Sequence, residues 1–179
     1  ANYKIAKEIF RDLGATVISI ADQPNGNNIN LRCGSLFPEK LSRSVIHHRA
    51  NIGFAFDGDG DRVICINEKG GIIDGDGIIY LCTKKYLQDK QLTNNTVVLT
   101  QMANFGLIQK LKEMGVNIHL VAVGDKYVWE GIKRSGAILG GEPVGHIIFS
   151  RYLSSGDGIL TALQILAFWC EQKRGNISR

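Results

Sequence analysis

The stretch "NIGFAFDGDGDRVICIN", residues 51–67, places a cluster of carboxylates between two apolar runs. Both runs are short and rich in the β-branched and aromatic residues that favour strands. The loop between them consists of five residues, Asp57, Gly58, Asp59, Gly60 and Asp61. Three anions this close repel one another unless another charge compensates them. The stretch therefore predicts two strands joined by a tight and strongly acidic loop.

A bound cation would explain the three carboxylates. Magnesium takes oxygen ligands and is usually held by few carboxylates together with water or phosphate oxygens. Carboxylates at every second residue converge only if the backbone curls tightly, and the two intervening glycines permit that curl. We therefore predict that Asp57, Asp59 and Asp61 bind Mg²⁺. A polar turn without an ion is the alternative.

Calcium binding is a second alternative for the same loop. An EF-hand loop has acidic residues at its first, third and fifth positions and glutamate at the twelfth, and Glu68 stands at the twelfth position here. The sixth position, however, is Arg62 instead of the glycine that the EF-hand turn needs, and the flanking runs resemble strands. A guanidinium group also matches phosphate oxygens. The pattern favours magnesium beside a phosphate, whereas flanking helices would favour a non-catalytic calcium-binding module.

Patterns typical of strands and helices alternate along the rest of the chain. The predicted helices are 3–13, a segment beginning at Pro38, 75–88, 104–114, 125–135 and a segment beginning at Asp157. The predicted strands are 16–21, the runs on either side of the acidic loop, 96–100, 117–123, 137–140 and a short strand that ends at residue 149. This alternation predicts an α/β fold with mixed sheets flanked by helices. The pattern restarts near residue 72, which predicts two consecutive α/β domains, 1–71 and 72–179.

A second candidate site motif is "GGEPVGHIIF", residues 140–149. This glycine-bracketed loop presents Glu142 and His146 between two short apolar strands. A carboxylate and an imidazole together suit the binding of sugar hydroxyls or the transfer of a proton near neutral pH. A surface glutamate and a hydrogen-bonded core histidine are the alternative.

A third motif, "VGDKYV", residues 123–128, lies where a strand is followed by a helix. Lys126 near the helix N-terminus is a candidate phosphate ligand, and a solvated lysine is the alternative. The stretch "SSGDGI", residues 154–159, predicts the start of the last helix, with Ser155 or Asp157 as its N-cap.

The bulk composition excludes two classes of partner. The net charge is +4 and no basic run occurs, so nucleic-acid binding is not predicted. No apolar run approaches the length of a membrane span, so no membrane is expected as a partner. The four cysteines are widely spaced and form no CxxC pair, which predicts free thiols and a reducing, cytoplasmic location.

The order of these motifs resembles that of the α-D-phosphohexomutase family. The acidic loop "DGDGDR" is followed by "VGDKY", then by a loop of the form GE-x-x-GH, then by "SGDGI" at a helix start. Two further stretches, "PNGNNIN" (24–30) and "DGDGIIY" (74–80), are similar to the bacterial branch that acts on phosphorylated glucosamine. The resemblance implies a four-domain architecture. Residues 1–71 would be the second domain without its first strand, and 72–179 would be the third domain.

The resemblance also implies an activity and its residues. Members of the family transfer a phosphoryl group between the 1- and 6-positions of a hexose, through a phosphorylated serine and a hexose 1,6-bisphosphate intermediate. The three aspartates would hold Mg²⁺ against the phosphoserine, and Arg62 would contact its phosphate. Glu142 would bind sugar hydroxyls, and Lys126 and His146 would contact the substrate or transfer its protons. Val144 stands where the family usually has a serine that contacts the sugar.

The partners follow from the same resemblance. They are a phosphorylated hexose, the first and fourth domains of the same protein, and a second copy in a homodimer. The serine loop and the C-terminal phosphate loop of those two domains are not found in the 179 residues, so this segment alone is predicted to be inactive. A phosphomannomutase or phosphoglucomutase of the same family is the alternative activity.

Overall fold

The structure, a computed structural model, describes the backbone of residues 2–175 and the side chains of residues 2–172. The helices are α1 (Ile5–Asp12), α2 (Glu39–His48), α3 (Gly75–Gln88), α4 (Phe105–Glu113), α5 (Asp125–Ser135) and α6 (Gly158–Gly175), with a short 3₁₀ turn at Thr93–Asn95. The strands are β1 (Ile52–Phe56), β2 (Val63–Asn67), β3 (Ile72–Ile73), β4 (Thr96–Thr100), β5 (Asn117–Val121), β6 (Leu139–Gly141) and β7 (Ile147–Phe149). Within the described residues, no helix is both long and apolar enough to cross a membrane.

The first sheet is an antiparallel sheet with the order β1-β2-β3. Strands β1 and β2 form a hairpin whose last pair is Phe56 with Val63, so the acidic loop is the hairpin turn. Helix α2 packs on this hairpin at Gly53, where a Cβ atom would lie 2.7 Å from the Val45 side chain. The absence of a side chain there allows the helix to approach the sheet closely.

The second sheet is mixed, with the order β5-β4-β6-β7, and only β7 runs antiparallel to its neighbour. Alternate residues of β4 point to opposite faces, as in any strand. Val97 and Leu99 pack with residues of α3, α4 and α6, whereas Val98 packs with α5. The sheet therefore lies between two helical layers, and the predicted α/β fold class is confirmed.

The two sheets share one hydrophobic core. Val63 and Cys65 of β2 belong to the same buried cluster as Ile78 of α3 and Leu99 of β4. Strand β3, which follows residue 71, pairs with β2 in the first sheet. The domain division at residues 71 and 72 stays a prediction.

The predicted strand 16–21 is wrong, because these residues form no strand in the structure. Strands are stable only when their backbone groups pair with a neighbouring strand. No strand of the described part of the chain lies beside this segment, and most of its residues are exposed. Strand β3 was not predicted, since two residues are too short to show an alternating pattern.

Candidate metal and sugar site

The acidic loop is held in its curled shape by its own first residue. The Asp57 carboxylate Oδ1 accepts hydrogen bonds from the backbone N–H groups of Gly60 and Arg62, each at 3.1 Å. Gly60 has a φ angle of +85°, in the left-handed region where glycine carries no steric penalty. The EF-hand alternative is wrong, because strands and not helices flank the loop.

The three predicted metal ligands converge. One oxygen from each of Asp57, Asp59 and Asp61 lies within 4.8 Å of the others. Asp61 Oδ1 is buried and has no hydrogen-bond partner among the described residues, although Arg62 Nε lies 3.8 Å away. A buried polar oxygen usually has a partner, and a cation would supply one here. An all-oxygen donor set of this kind fits a hard divalent cation such as Mg²⁺.

The electrostatics of the loop reflect this crowding. Burial, reinforced by the neighbouring Asp61 carboxyl group, raises the pKa of Asp57 to about 6. Burial also opposes the ionisation of Asp61, but its hydrogen bonds with Asp57 and His146 outweigh that effect and lower its pKa. Above the pKa of Asp57, the proton shared in the hydrogen bond between Asp57 and Asp61 is lost and the two carboxylates repel each other, a cost that a bound cation would remove.

His146 joins the predicted sugar-binding loop at residues 140–149 (the sugar loop) to the acidic loop. Its side chain is buried, with 3% of the residue exposed, and Nδ1 lies 2.9 Å from Asp61 Oδ2. Its other ring nitrogen, Nε2, accepts the backbone N–H of Gly156 at 3.1 Å. The backbones also pair, because Arg62 and His146 form an antiparallel bridge and the Val63 N–H donates to the Gly145 carbonyl at 3.1 Å. Two loops that are 85 residues apart in sequence thus form one site.

Glu142 joins the sugar loop to the third motif. The residue is buried, and its Oε1 accepts the backbone N–H of Gly124 at 3.0 Å. The loop also packs on the start of α3, where the Gly75 N–H donates to the Pro143 carbonyl at 2.9 Å. A Cβ atom at Gly75 would overlap with the Glu142 carbonyl oxygen, so the contact requires glycine.

A cleft of about 630 Å³ opens between these loops. The residues that line it are Asp61, Arg62, Thr100, Met102, Val123, Gly124, Asp125, Glu142, Pro143, Val144 and His146. Most of them follow the carboxyl ends of the parallel strands β4, β5 and β6, the edge at which open α/β sheets bind ligands.

Most predicted site residues meet at this cleft. Arg62, Glu142, Val144 and His146 line it, with Val144 40% exposed. Lys126 is exposed on the first turn of α5 and does not line the cleft, although the two residues before it do. The functional roles assigned to these residues from the sequence stay predictions.

Six of the lining residues were not predicted as site residues: Thr100, Met102, Val123, Gly124, Asp125 and Pro143. The signal that points to them is their position at the end of β4 or in the loops that follow β4, β5 and β6, not their residue type. Thr100 Oγ1 is buried without a hydrogen-bond partner among the described residues, and the residue lines the cleft.

The stretch at the start of α6 does more than cap the helix. Asp157, one of the two predicted caps, accepts the Leu160 N–H at 2.8 Å. The Gly158 N–H donates to the Gly60 carbonyl at 2.9 Å, and a Cβ atom at Gly158 would lie 2.7 Å from the Arg62 carbonyl oxygen. Together with the bond from Gly156 to His146, these contacts place the acidic loop and the sugar loop against one helix start.

Comparison with known proteins gives the family. The family model described as "Phosphoglucomutase/phosphomannomutase, alpha/beta/alpha domain III" matches residues 74–178, more than half of the chain. A phosphoglucosamine mutase of Bdellovibrio bacteriovorus is 48% identical over 167 residues, which cover 93% of this chain and 36% of that protein. The corresponding enzyme of Clostridioides difficile is 47% identical over 174 residues, which cover 97% of this chain and 39% of that protein. The chain thus spans well under half the length of these relatives.

Solved structures agree with this result. A phosphoglucomutase/phosphomannomutase family protein from Burkholderia thailandensis superposes with a TM-score of 0.81 at 27% identity, over 92% of this chain and 36% of that one. Aspergillus fumigatus N-acetylphosphoglucosamine mutase superposes with a TM-score of 0.72 at 19% identity, over 93% of this chain and 44% of that one, a likeness of fold alone. With the matched family model, these findings show that the chain belongs to the phosphoglucomutase/phosphomannomutase family of phosphohexomutases.

Proposed function

We propose that this chain is the central, metal- and sugar-binding part of a phosphoglucosamine mutase. That enzyme interconverts glucosamine 6-phosphate and glucosamine 1-phosphate through a phosphoserine and a bisphosphorylated sugar. The observation that carries the proposal is the direct bond between the acidic loop and the sugar loop, from His146 Nδ1 to Asp61 Oδ2 at 2.9 Å, at the edge of one cleft. The identity of 47–48% to phosphoglucosamine mutases supports the choice within the family.

The proposed cofactor is Mg²⁺ at Asp57, Asp59 and Asp61. The convergence of their oxygens and the unpartnered Asp61 Oδ1 support it. When bound, Mg²⁺ neutralises charge on the oxygens of a transferring phosphoryl group. Arg62 is the proposed phosphate contact, because it lies beside these carboxylates and lines the cleft.

The chain's own residues would position the sugar, and positioning carries most of the catalysis in phosphoryl transfer. Glu142 Oε1 is engaged by the Gly124 N–H, which orients the carboxylate and leaves Oε2 for a sugar hydroxyl. Lys126 lies on the turn of α5 that follows the cleft and is a proposed ligand of the second phosphate. Val144 offers only apolar contact at the cleft mouth.

The charge of the cleft supports an amino sugar as the substrate. Three carboxylates line it, those of Asp61, Asp125 and Glu142, against the single guanidinium group of Arg62. Of these, Asp61 is a proposed ligand of the cation and Glu142 a proposed ligand of the sugar hydroxyls. Asp125 is therefore the proposed partner of the cationic amine that distinguishes glucosamine from glucose and mannose. Asp125 Oδ1 accepts the Lys126 N–H at 2.6 Å, which orients the carboxylate at the start of α5.

The remaining proposals concern the whole protein. The phosphorylated serine and the second phosphate loop would come from the first and fourth domains, with hexose 1,6-bisphosphate as intermediate and activator. A homodimer in the cytoplasm, serving amino-sugar synthesis for peptidoglycan, is the proposed setting. The four free cysteines, of which Cys65 and Cys82 are buried, support a reducing compartment.

Activity assays of the full-length protein that carries this chain test the proposal. We expect turnover of glucosamine 1-phosphate with Mg²⁺ and much weaker turnover of glucose 1-phosphate and mannose 1-phosphate. Asp125→Asn should lower the ratio of activity on glucosamine 1-phosphate to activity on the other two sugar phosphates by roughly tenfold, because one charged contact to the amine is lost. A preference for glucose or mannose phosphate in the unmodified protein would reject the amino-sugar assignment and favour the alternative activity.

A further inference from the structure

An exposed apolar surface lies on the loop that leads into α2, residues 23–37, which we call the asparagine loop. Four of its large apolar side chains are 50–70% exposed: Ile29, Leu31, Leu36 and Phe37. Within the described residues, none of these four belongs to the hydrophobic core or lines the cleft. Single exposed apolar residues are common on proteins, whereas several on one segment are typical of a surface that contacts another protein surface.

The exposed side chains stand on an internally bonded backbone. Asn28 Oδ1 accepts the Asn25 N–H at 3.1 Å, and Asn28 Nδ2 donates to the Gln23 carbonyl at 2.8 Å. The Leu31 N–H in turn donates to the Asn28 carbonyl at 3.2 Å. A loop that is already shaped in this way loses less conformational entropy when a partner docks on it.

The asparagine loop lies directly against the acidic loop. A Cβ atom at Gly58 would lie 2.7 Å from the Ile29 side chain and 3.0 Å from Asn30 Nδ2. On the asparagine loop, Gly34 has a φ angle of +83°, and a Cβ atom there would lie 2.8 Å from the carbonyl oxygen of Phe56, the last residue of β1. These two glycines allow the contact, so the exposed apolar surface borders the proposed cation site.

The position of the surface indicates what covers it, and this step rests on the proposed function, in which another domain brings a phosphorylated serine to the cation. The sugar cleft is lined by Asp61 and Arg62 of the acidic loop region, whereas the asparagine loop contacts the acidic loop at Gly58. A domain that reaches the cation without filling the cleft therefore meets the asparagine loop. The chain covers 36–39% of the phosphoglucosamine mutases that it matches, so most of each relative lies outside the matched part.

The charge of the asparagine loop favours the same occupant over a second copy of the chain. Arg32, which is exposed, is the only charged residue of positions 23–37, and no carboxylate stands among them. Two copies docked through this surface would bring like charges together, because a symmetric contact uses the same residues twice. A phosphorylated segment instead brings negative charge to the guanidinium group.

We propose that the exposed apolar surface of the asparagine loop is the docking surface for the phosphoserine-bearing domain of the same protein. Ile29, Leu31, Leu36 and Phe37 are buried in that contact, and Arg32 faces the phosphorylated segment. Docking there places the serine beside the acidic loop and leaves the cleft open for the sugar.

Photo-crosslinking of the full-length protein tests the contact. Photoreactive benzoylphenylalanine replaces Leu36, and mass spectrometry identifies both the linked peptide and the phosphorylated serine. We expect an intramolecular link to the domain that carries this serine. The same photoreactive residue at His48, an exposed position of α2, is the matched control and should give no such link. A link to a second copy, a link to any other domain, or no link at all from position 36 overturns the inference.

Charge substitutions test the surface by a second readout. Leu31→Asp and Leu36→Asp place a carboxylate in an apolar contact that faces a phosphate. We expect each to lower the activity of the full-length protein on glucosamine 1-phosphate by roughly tenfold or more, the scale of one large apolar side chain removed from a buried contact. Mn²⁺ binding, measured by electron paramagnetic resonance, should not change, because neither residue belongs to the metal site.

His48→Asp adds the same charge to an exposed position of α2 and should alter neither readout. Thermal unfolding verifies that each variant is folded. Full activity in both leucine variants overturns the inference.

The inference and the proposed function can fail separately. A full-length protein that turns over no hexose phosphate rejects the proposed function, and the link from position 36 still decides which domain docks on the asparagine loop. A protein that turns over glucosamine 1-phosphate but gives no link from position 36 keeps the proposed function and loses the inference.

Discussion

At the scale of single residues, Asp57 has two opposing effects on the acidic loop. Its Oδ1 stabilises the hairpin turn by accepting hydrogen bonds from Gly60 and Arg62, whereas its charge is repelled by that of Asp61. Burial and this neighbour raise the pKa of Asp57 to about 6, so the folded chain without metal holds its proton more tightly than an ordinary aspartate. The carboxylate cluster thus lowers the stability of the metal-free chain near neutral pH, an effect that a bound cation would offset.

Asp57→Asn should stabilise the metal-free chain at pH 7.5. Asparagine keeps an Oδ1 acceptor for the turn and removes the unfavourable charge. The gain in the free energy of unfolding should be about 1–2 kcal/mol, after allowance for solvent screening of a partly exposed group. Urea unfolding measures it, and Asp59→Asn, at an exposed position of the same loop, should gain less. A loss of stability in Asp57→Asn would contradict this account of the charge.

The same pKa predicts how metal binding depends on pH. Because the folded pKa of Asp57 lies above the ordinary value, the group is protonated below about pH 6 and a cation must displace that proton. Metal affinity should be nearly constant above pH 7 and fall by up to about tenfold per pH unit below pH 6. The free energy of unfolding of the metal-free chain should decrease as pH rises from about 4 to 6, because the folded state holds the Asp57 proton more tightly than the unfolded state does. Titrations of Mn²⁺ at pH 5, 6, 7 and 8 measure the affinity, and a constant affinity across that range would contradict the prediction.

At the scale of secondary-structure elements, the sugar loop is positioned by glycines on its neighbours. Gly75 at the start of α3 donates to the Pro143 carbonyl and leaves no room for a side chain. Gly145 has a φ angle of +91°, and its carbonyl receives the Val63 N–H. The loop therefore has one position, set jointly by α3 and β2.

Gly75→Ala should displace the sugar loop, because the added methyl group meets backbone atoms that cannot move independently. We expect a loss of about 2 kcal/mol or more in the free energy of unfolding, typical of strain against buried backbone. Gly106→Ala in α4 is the control, since its added Cβ would meet only the Asn104 side chain at 3.0 Å. Urea unfolding of both variants measures the difference, and equal stabilities would show that the loop does not depend on this contact.

At the scale of the whole molecule, the sequence predicted the elements better than their association. The helices at 75–88 and 125–135 and the strand at 96–100 match the structure within a residue, because each has a long or strongly apolar pattern. The segment 16–21 has a strand-like pattern but finds no partner among the described strands, and pairing is not a local property.

The sequence predicted only part of the candidate site, because contacts between distant loops are not local properties either. The aspartates, Glu142 and His146 stand in recognisable loops, but the sequence does not show that His146 contacts Asp61 or that Gly156 holds the ring. Thr100 stands in no motif, and Asp125, although it belongs to the third motif, was not predicted as a site residue. Both line the cleft because the parallel strands end at one edge. The residue patterns therefore predicted the loops of the site, whereas the contacts between those loops are known only from the structure.

The central claim is that a cation at the acidic loop lies beside the sugar loop. Paramagnetic broadening by Mn²⁺ in the NMR spectrum of the isotope-labelled chain tests it most directly. We predict that substoichiometric Mn²⁺ broadens the amide signals of the acidic loop and also those of Gly145, His146 and Gly156, and that Asp61→Asn weakens the effect on both groups. Broadening confined to residues 57–61, or spread evenly over the surface, would contradict the account.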